Sequence, residues 1–361
     1  MSRRALNRAT LARQMLLTRE KTTAMHAVER LVGLQAQVAR PPFVGLWTRV
    51  AAFTGADLLG PIHQRTVVRV TAMRATLHLM TSSDYRALRG ALQPALTRSL
   101  LAITKSRNAA IDLDRLAALG RAFFARKAAS FDELRDEVLK KYPKDDERAI
   151  AYAIRCSVPL AQVPDDSRWG FPAQADFILA DSWLGRKVSV KDAPAHALVR
   201  RYLAAFGPAT PADAQAWSAL QGLREVFEEM RPELVTFSDE RGRELFDLPG
   251  APRPDEDTPA PIRLLPEFDN LVLAHNDRTR VIAAEHRPFL TTKNLQVPAT
   301  FLVDGMVAGT WKIERTAKAA TLVLAPFGQL SRRTRGEIEP EGEALLRFVE
   351  PEGVARAIRW V

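Results

Sequence analysis

The chain has little of what most cofactor and metal enzymes use. Cys156 is its single cysteine among 361 residues, which rules out an internal disulfide and any Cys-cluster zinc or iron–sulfur site. Six scattered histidines offer no H-E-x-x-H spacing. Walker, G-x-G-x-x-G and G-x-S-x-G motifs are missing, so nucleotide-cofactor enzymes and the common hydrolase elbow lack support. A transmembrane helix is excluded because no run of 18 residues is free of charge. The first residues, Met-Ser-Arg-Arg-Ala-Leu-Asn-Arg, lack the apolar stretch of a signal peptide. The expectation is a cytoplasmic protein with no cofactor and no metal.

Positive charge is abundant and unevenly spread. Residues 1–110 hold 17 basic and four acidic residues, a net +13, so the other 251 residues carry −3. An excess of this kind in one lobe points to a polyanion, with double-stranded DNA the leading partner. The 47% apolar and 26% charged content is that of a globular protein. The length allows two to four domains.

Hydrophobic spacing predicts a helix over Asn7–Leu17 and a second over Thr23–Gln35, stopped by Pro41-Pro42. A short helix over Asp57–Gln64 and a two-stranded stretch over Thr66–Met80 follow, the outline of a winged helix. The order recurs. Ser130-Phe-Asp-Glu133 is a capping box, Asp146–Cys156 a helix, Val158–Val163 and Arg168–Phe171 strands. Thr210-Pro-Ala-Asp213 opens a third unit that ends in a hairpin around Ser238–Gly242. Five prolines within 249–261 mark a linker. Beyond it lie short β-rich runs, including Leu271–Leu273 and Arg280–Ile282, and a closing helix over Glu341–Val349. The expected fold is mixed α/β (α+β): winged-helix units over 1–107, 108–190 and 191–250, then a β-rich, barrel-like domain over 262–361.

Five segments carry a resemblance: Leu6–Gln14, Val32-Gly-Leu-Gln-Ala-Gln37, Met73-Arg-Ala-Thr-Leu-His-Leu79, Leu264–Leu271 and Val303–Trp311. Together they resemble the bacterial winged-helix DNA glycosylases of the azinomycin-resistance (AlkZ-like) family. That resemblance implies a monofunctional glycosylase that hydrolyses the N-glycosidic bond of N7-alkylated purines, unhooks interstrand crosslinks and acts as a monomer. It implies catalysis by a Gln–apolar–Gln motif, here Gln35-Ala36-Gln37. The residues alone leave open that these amides cap a helix end or face water. The alternative function is a non-enzymatic winged-helix DNA-binding protein or transcriptional regulator; a scaffold with an RNA-binding basic lobe is a third.

Two neutral amides suit this chemistry. A purine alkylated at N7 is cationic and departs neutral, so no acid need protonate it. What remains is to hold a water and stabilise a cationic sugar, which amide dipoles can do. The stretch Leu273–Val281 reads as a hairpin with His275, Arg278 and Arg280 near its tip, either an exposed turn or, as the resemblance implies, an element that reaches a DNA groove; Arg74 and Arg40 are further expected contacts. Asp269 is a candidate base or structural hydrogen-bonding group. Asp57 and Asp84 read as helix caps, and His78 as a structural histidine on a strand.

Overall fold

The computed structural model describes residues 1–107, 112–143, 146–290, 296–350 and 353–361. Residue 108, the expected start of the second unit, lies outside the described residues. The first helix, Arg3–Arg13, starts where the Ser2 hydroxyl accepts the Ala5 N–H. The second spans only Ala24–Arg30, capped by Thr23. It ends because Val32 and Gly33 turn left-handed, with φ 55° and 90°. The predicted continuation to Gln35 is therefore a strand, Leu34–Gln35, paired with Leu79 and His78. Gly33 is required there: a Cβ would lie 2.7 Å from Met80 Cγ. Pro41-Pro42 does not stop helix but sits in the first turn of one, Arg40–Trp47. A first-turn proline loses no helical hydrogen bond and its fixed φ suits that position.

Leu34–Gln35 is the edge of a five-stranded antiparallel sheet. Its neighbours are Leu77–Thr81, Val67–Thr71, Leu160–Gln162 and Phe177–Leu179, in that order. Strands from the first and second expected units thus share one sheet. Sequence patterning did not anticipate the 25-residue helix Ser82–Ser106 beneath it, whose Leu88, Leu92 and Leu96 are buried. Ser130 caps Phe131–Lys141 with Glu133 as the sequence predicts, and the helix expected over Asp146–Cys156 runs Glu147–Ser157 with Asp146 as its cap. Arg168–Phe171 is not a strand. The Asp165 N–H donates to Gly170 O, and Gly170 is left-handed at φ 73°, so the segment closes into a compact loop. Helices Pro211–Ser218 and Leu223–Glu229 precede the hairpin Val235–Ser238/Glu244–Asp247.

The C-terminal sheet runs Ala355–Trp360, Ala319–Pro326, Met306–Arg315, Thr300–Val303, Arg263–Leu265. It is open rather than closed into a barrel: the two outer strands do not pair with each other. Helix Arg332–Val349 covers it with Ile338, Leu345 and Leu346. Leu271–Leu273 and Arg280–Ile282 are not strands; 3₁₀ turns occupy Asn270–Val272 and Arg278–Arg280, started by Asp269 and Asp277 side chains that accept backbone N–H groups. These Asx turns satisfy the backbone locally and remove it from any ladder.

Much of the charge excess is consumed inside the fold. Seven arginines of residues 1–107 pair with carboxylates beyond residue 145: Arg4 and Arg8 with Asp304, Arg13 with Asp247, Arg19 with Glu341, Arg40 with Glu267, Arg49 with Asp269 and Arg107 with Asp146. Arg8, Arg13 and Arg49 are fully buried. The lopsided count therefore reflects interlobe pairing as well as any polyanion surface.

Candidate nucleic-acid interface and active site

Gln35 ends the strand Leu34–Gln35, and Gln37 follows two residues on, in the bend that leads into the helix Arg40–Trp47. Gln35 is buried, at 7% exposure, while Gln37 is exposed. Gln35 Oε1 accepts from Arg74 Nη2 at 2.7 Å. Gln37 Oε1 accepts from the Leu77 backbone N–H at 2.8 Å. Both partners are donors only, which fixes which end of each amide is oxygen. Each oxygen keeps one lone pair, and both NH2 groups face away from these donors. The backbone between them is also held: Arg69 Nε donates to Ala36 O at 2.8 Å and its Nη2 to Gln37 O at 3.1 Å.

Support from the C-terminal part comes through Glu267-Phe268-Asp269-Asn270. Asn270 Nδ2 donates to Gly33 O at 2.8 Å, immediately before the strand. Asp269 receives both Nη atoms of Arg49 at 2.8 Å, with both side chains fully buried. Asp269 is therefore structural, neither an accessible base nor a metal ligand. Among the described residues no group of three or more His, Cys, Asp or Glu is placed to hold a metal.

Gln37 forms one wall of an open cleft of about 550 Å³. Arg40, Arg69, Arg168 and Arg315 line it, together with Trp169 and Phe171. Arg168 and Arg315 are exposed. Arg40 pairs with Glu267 and is mostly buried. Arg69 lies over the Phe171 ring at 5.2 Å, and burial pulls its pKa down to about 10, so it stays charged at neutral pH. Among the described residues Glu350 is the one carboxylate on the cleft wall, and Arg315 Nη2 forms an ion pair with its Oε1 at 2.6 Å. Among the described residues no lysine lines the cleft.

The other expected contacts divide. Arg74 sits behind Gln35, where its second Nη donates to Trp217 O at 2.5 Å. Arg278 is half-buried and makes no ion pair among the described residues; the Arg74 pKa is lowered first by burial and then by the nearby Arg278 charge. His275 and Arg280 are corrected: both are buried, at 1% and 5% exposure, between the first helix and the Phe206–Pro208 segment. His275 Nε2 lies 3.0 Å from Phe206 O, and Arg280 Nη1 donates to Pro208 O at 2.8 Å. The reason is Asp213, which accepts the Asn276 N–H at 2.9 Å and draws the segment inward. Burial and the Arg280 charge press the His275 pKa down to about 3, so it is neutral. His78 is likewise structural: fully buried opposite Gln35, it is held near 3 by burial first and then by Arg74.

Sequence reasoning missed Arg69, Arg168, Trp169, Phe171 and Arg315. Arg69 gave one signal, an arginine inside the apolar run Val67-Val-Arg-Val70. The others come from loops and strand ends with no local pattern.

The chain is similar in sequence and fold to known proteins. The family described as DNA glycosylase AlkZ-like matches residues 28–348. An interstrand DNA cross-link repair glycosylase of Streptomyces sahachiroi is 27% identical, over 96% of this chain and 95% of that protein. The solved structure of Streptomyces sahachiroi DNA glycosylase AlkZ superposes with a TM-score of 0.82 at 24% identity, covering 100% of both chains, which establishes a shared fold. With a family match over most of its length, this chain belongs to the AlkZ-like DNA glycosylase family.

Proposed function

We propose that this protein is a monofunctional DNA glycosylase that hydrolyses the N-glycosidic bond of N7-alkylated purines, with Gln35 and Gln37 carrying the chemistry. We read the three helix-pair-and-hairpin stretches as winged-helix units over 1–107, 108–190 and 191–250, followed by a C-terminal domain over 262–361. The observation that carries the proposal is Gln37, whose oriented amide stands on the wall of a cleft lined by four arginines. Arginines bind phosphates, and the motif meets the duplex where they hold it. Gln37 Oε1 has a lone pair left for a water and points its dipole toward positive charge forming on the sugar. Simple hydrolysis with no Schiff base is in keeping with a cleft that holds no lysine among the described residues. The relative named above is a cross-link repair enzyme, and a cleft open on one side supports acceptance of a crosslinked duplex here too.

The direct test is single-turnover release of N7-methylguanine from methylated duplex by the purified protein. Absence of release with intact duplex binding would leave the regulator reading. Binding itself should weaken by roughly 0.9 decade per decade of salt for each phosphate neutralised. Arg168→Ala and Arg315→Ala should each lower that slope by about one. Unchanged slopes in a fluorescence-anisotropy titration would place the duplex elsewhere.

Arg278 gives a second expectation. Its half-buried guanidinium makes no ion pair among the described residues and so keeps its charge uncompensated. Arg278→Ala should therefore weaken modified and unmodified duplexes alike, since phosphate contacts carry no base information. Equal affinity of variant and wild type in the same titration removes it from the interface.

A further inference from the structure

Arg74 occupies a costly backbone conformation. Both Arg74 and Ala75 are left-handed at φ 55°, a region that non-glycine residues rarely adopt. The turn Met73–Ala75 thereby aims the guanidinium at two acceptors at once, Gln35 Oε1 at 2.7 Å and Trp217 O at 2.5 Å. Trp217 belongs to the helix Pro211–Ser218 and is itself fully buried. The guanidinium is thus anchored on the far side by a rigid element.

We propose that Arg74 is a positioning residue that makes Gln35 a hydrogen-bond donor to the substrate: it captures the amide oxygen and leaves the NH2 group for the departing base. The inference rests on the glycosylase reading above. Its physical basis is threefold. A charged donor on the oxygen draws electron density through the amide and strengthens its N–H groups as donors. The Gln35 NH2 makes no hydrogen bond with the described residues. Positive charge stands behind Gln35: the Arg74 guanidinium bonds its oxygen, the Arg278 charge adds to the burial that lowers the Arg74 pKa, and His78 is neutral.

A positive field of that sign opposes a cationic sugar and favours an electron-rich partner. In this hydrolysis the electron pair of the glycosidic bond passes to the N7-alkylated purine and cancels its ring charge. Water oxygen bonds the anomeric carbon, and its proton is released to solvent. The base is the partner that gains electrons. Gln35 is thus assigned to the leaving group and Gln37 to the water, so the two amides of one motif have opposite polarity.

Gln35→Glu and Gln35→Ala separate the roles, because glutamate keeps an acceptor in place but has no N–H. Single-turnover release of N7-methylguanine should be equally slow in both, and Arg74→Ala should lose about 10²-fold, the scale for one preorganised donor. Arg74→Ala should add no further loss in the Gln35→Ala background, duplex affinity should stay within about threefold, and Arg74→Lys should recover part of the rate. Near wild-type release by Gln35→Glu overturns the donor assignment. An Arg74→Ala loss that persists in the Gln35→Ala background, or that tracks affinity or melting temperature, overturns the positioning role. Wild-type release by Gln35→Ala instead sinks the underlying glycosylase motif. The Gln35→Glu comparison stands even if Arg74→Ala fails to fold.

Discussion

Gln37→Ala should slow single-turnover base release by about 10²–10³-fold while duplex affinity stays within about a factor of two. The side chain lies on the cleft wall and its oxygen is already oriented by the Leu77 N–H, so no reorganisation is needed as charge develops. An interaction strengthened only on the way to the transition state lowers the rate constant and leaves ground-state binding alone. Gln37→Asp should keep part of the activity, since a carboxylate also orients water and favours a cationic sugar. A wild-type rate in Gln37→Ala, measured under enzyme excess, would make the motif a structural one.

Arg49→Ala should cost about 3–5 kcal/mol of folding stability, the largest effect expected of any single change. Its guanidinium is fully buried and donates to Asp269 twice, to Gln14 O and to Gly45 O. Truncation leaves the Asp269 carboxylate charged, buried and unpaired. Replacing both partners, as Arg49→Met with Asp269→Leu, should be far milder because no orphan charge remains. Urea midpoints of the single and double variants test this. Equal losses in both would mean that the cost is packing rather than charge. Arg49→Ala should also loosen Asn270 and hence the Gly33 carbonyl that precedes the motif.

The sequence made some of this architecture legible and hid the rest for definable reasons. Caps were readable because they are local: Ser130 with Glu133, Thr210 with Asp213 and the Asp146 start all form as patterned. The Leu34–Gln35 strand was not readable. The preceding heptad-like spacing of Ala27, Leu31 and Leu34 continues the helix on paper, and only the left-handed turn at Val32-Gly33, held by long-range contacts, breaks it. The segment Leu273–Val281 misled for the opposite reason. Its apolar ends imitate a hairpin, but the Asp213 carboxylate, more than 60 residues earlier, collects its backbone N–H groups. Gln35 and Gln37 could be singled out by family resemblance. Their partners Arg74 and Leu77 and the surrounding arginines needed coordinates.

The reach of Glu267–Asn270 back to Arg40, Arg49 and Gly33 also constrains how the protein is born. These contacts span 220 to 237 residues of chain. At about 5–20 residues per second of synthesis, the motif leaves the ribosome roughly 10–50 seconds before the groups that brace it. During that interval the emerging lobe carries its net +13 without Asp247, Asp269 or Asp304 to offset it. A nascent chain of that charge is drawn to any nearby nucleic acid, yet its site is still unbraced. Competence to cut therefore arrives late, after the affinity for polyanions and only when the second half of the chain has closed over the first.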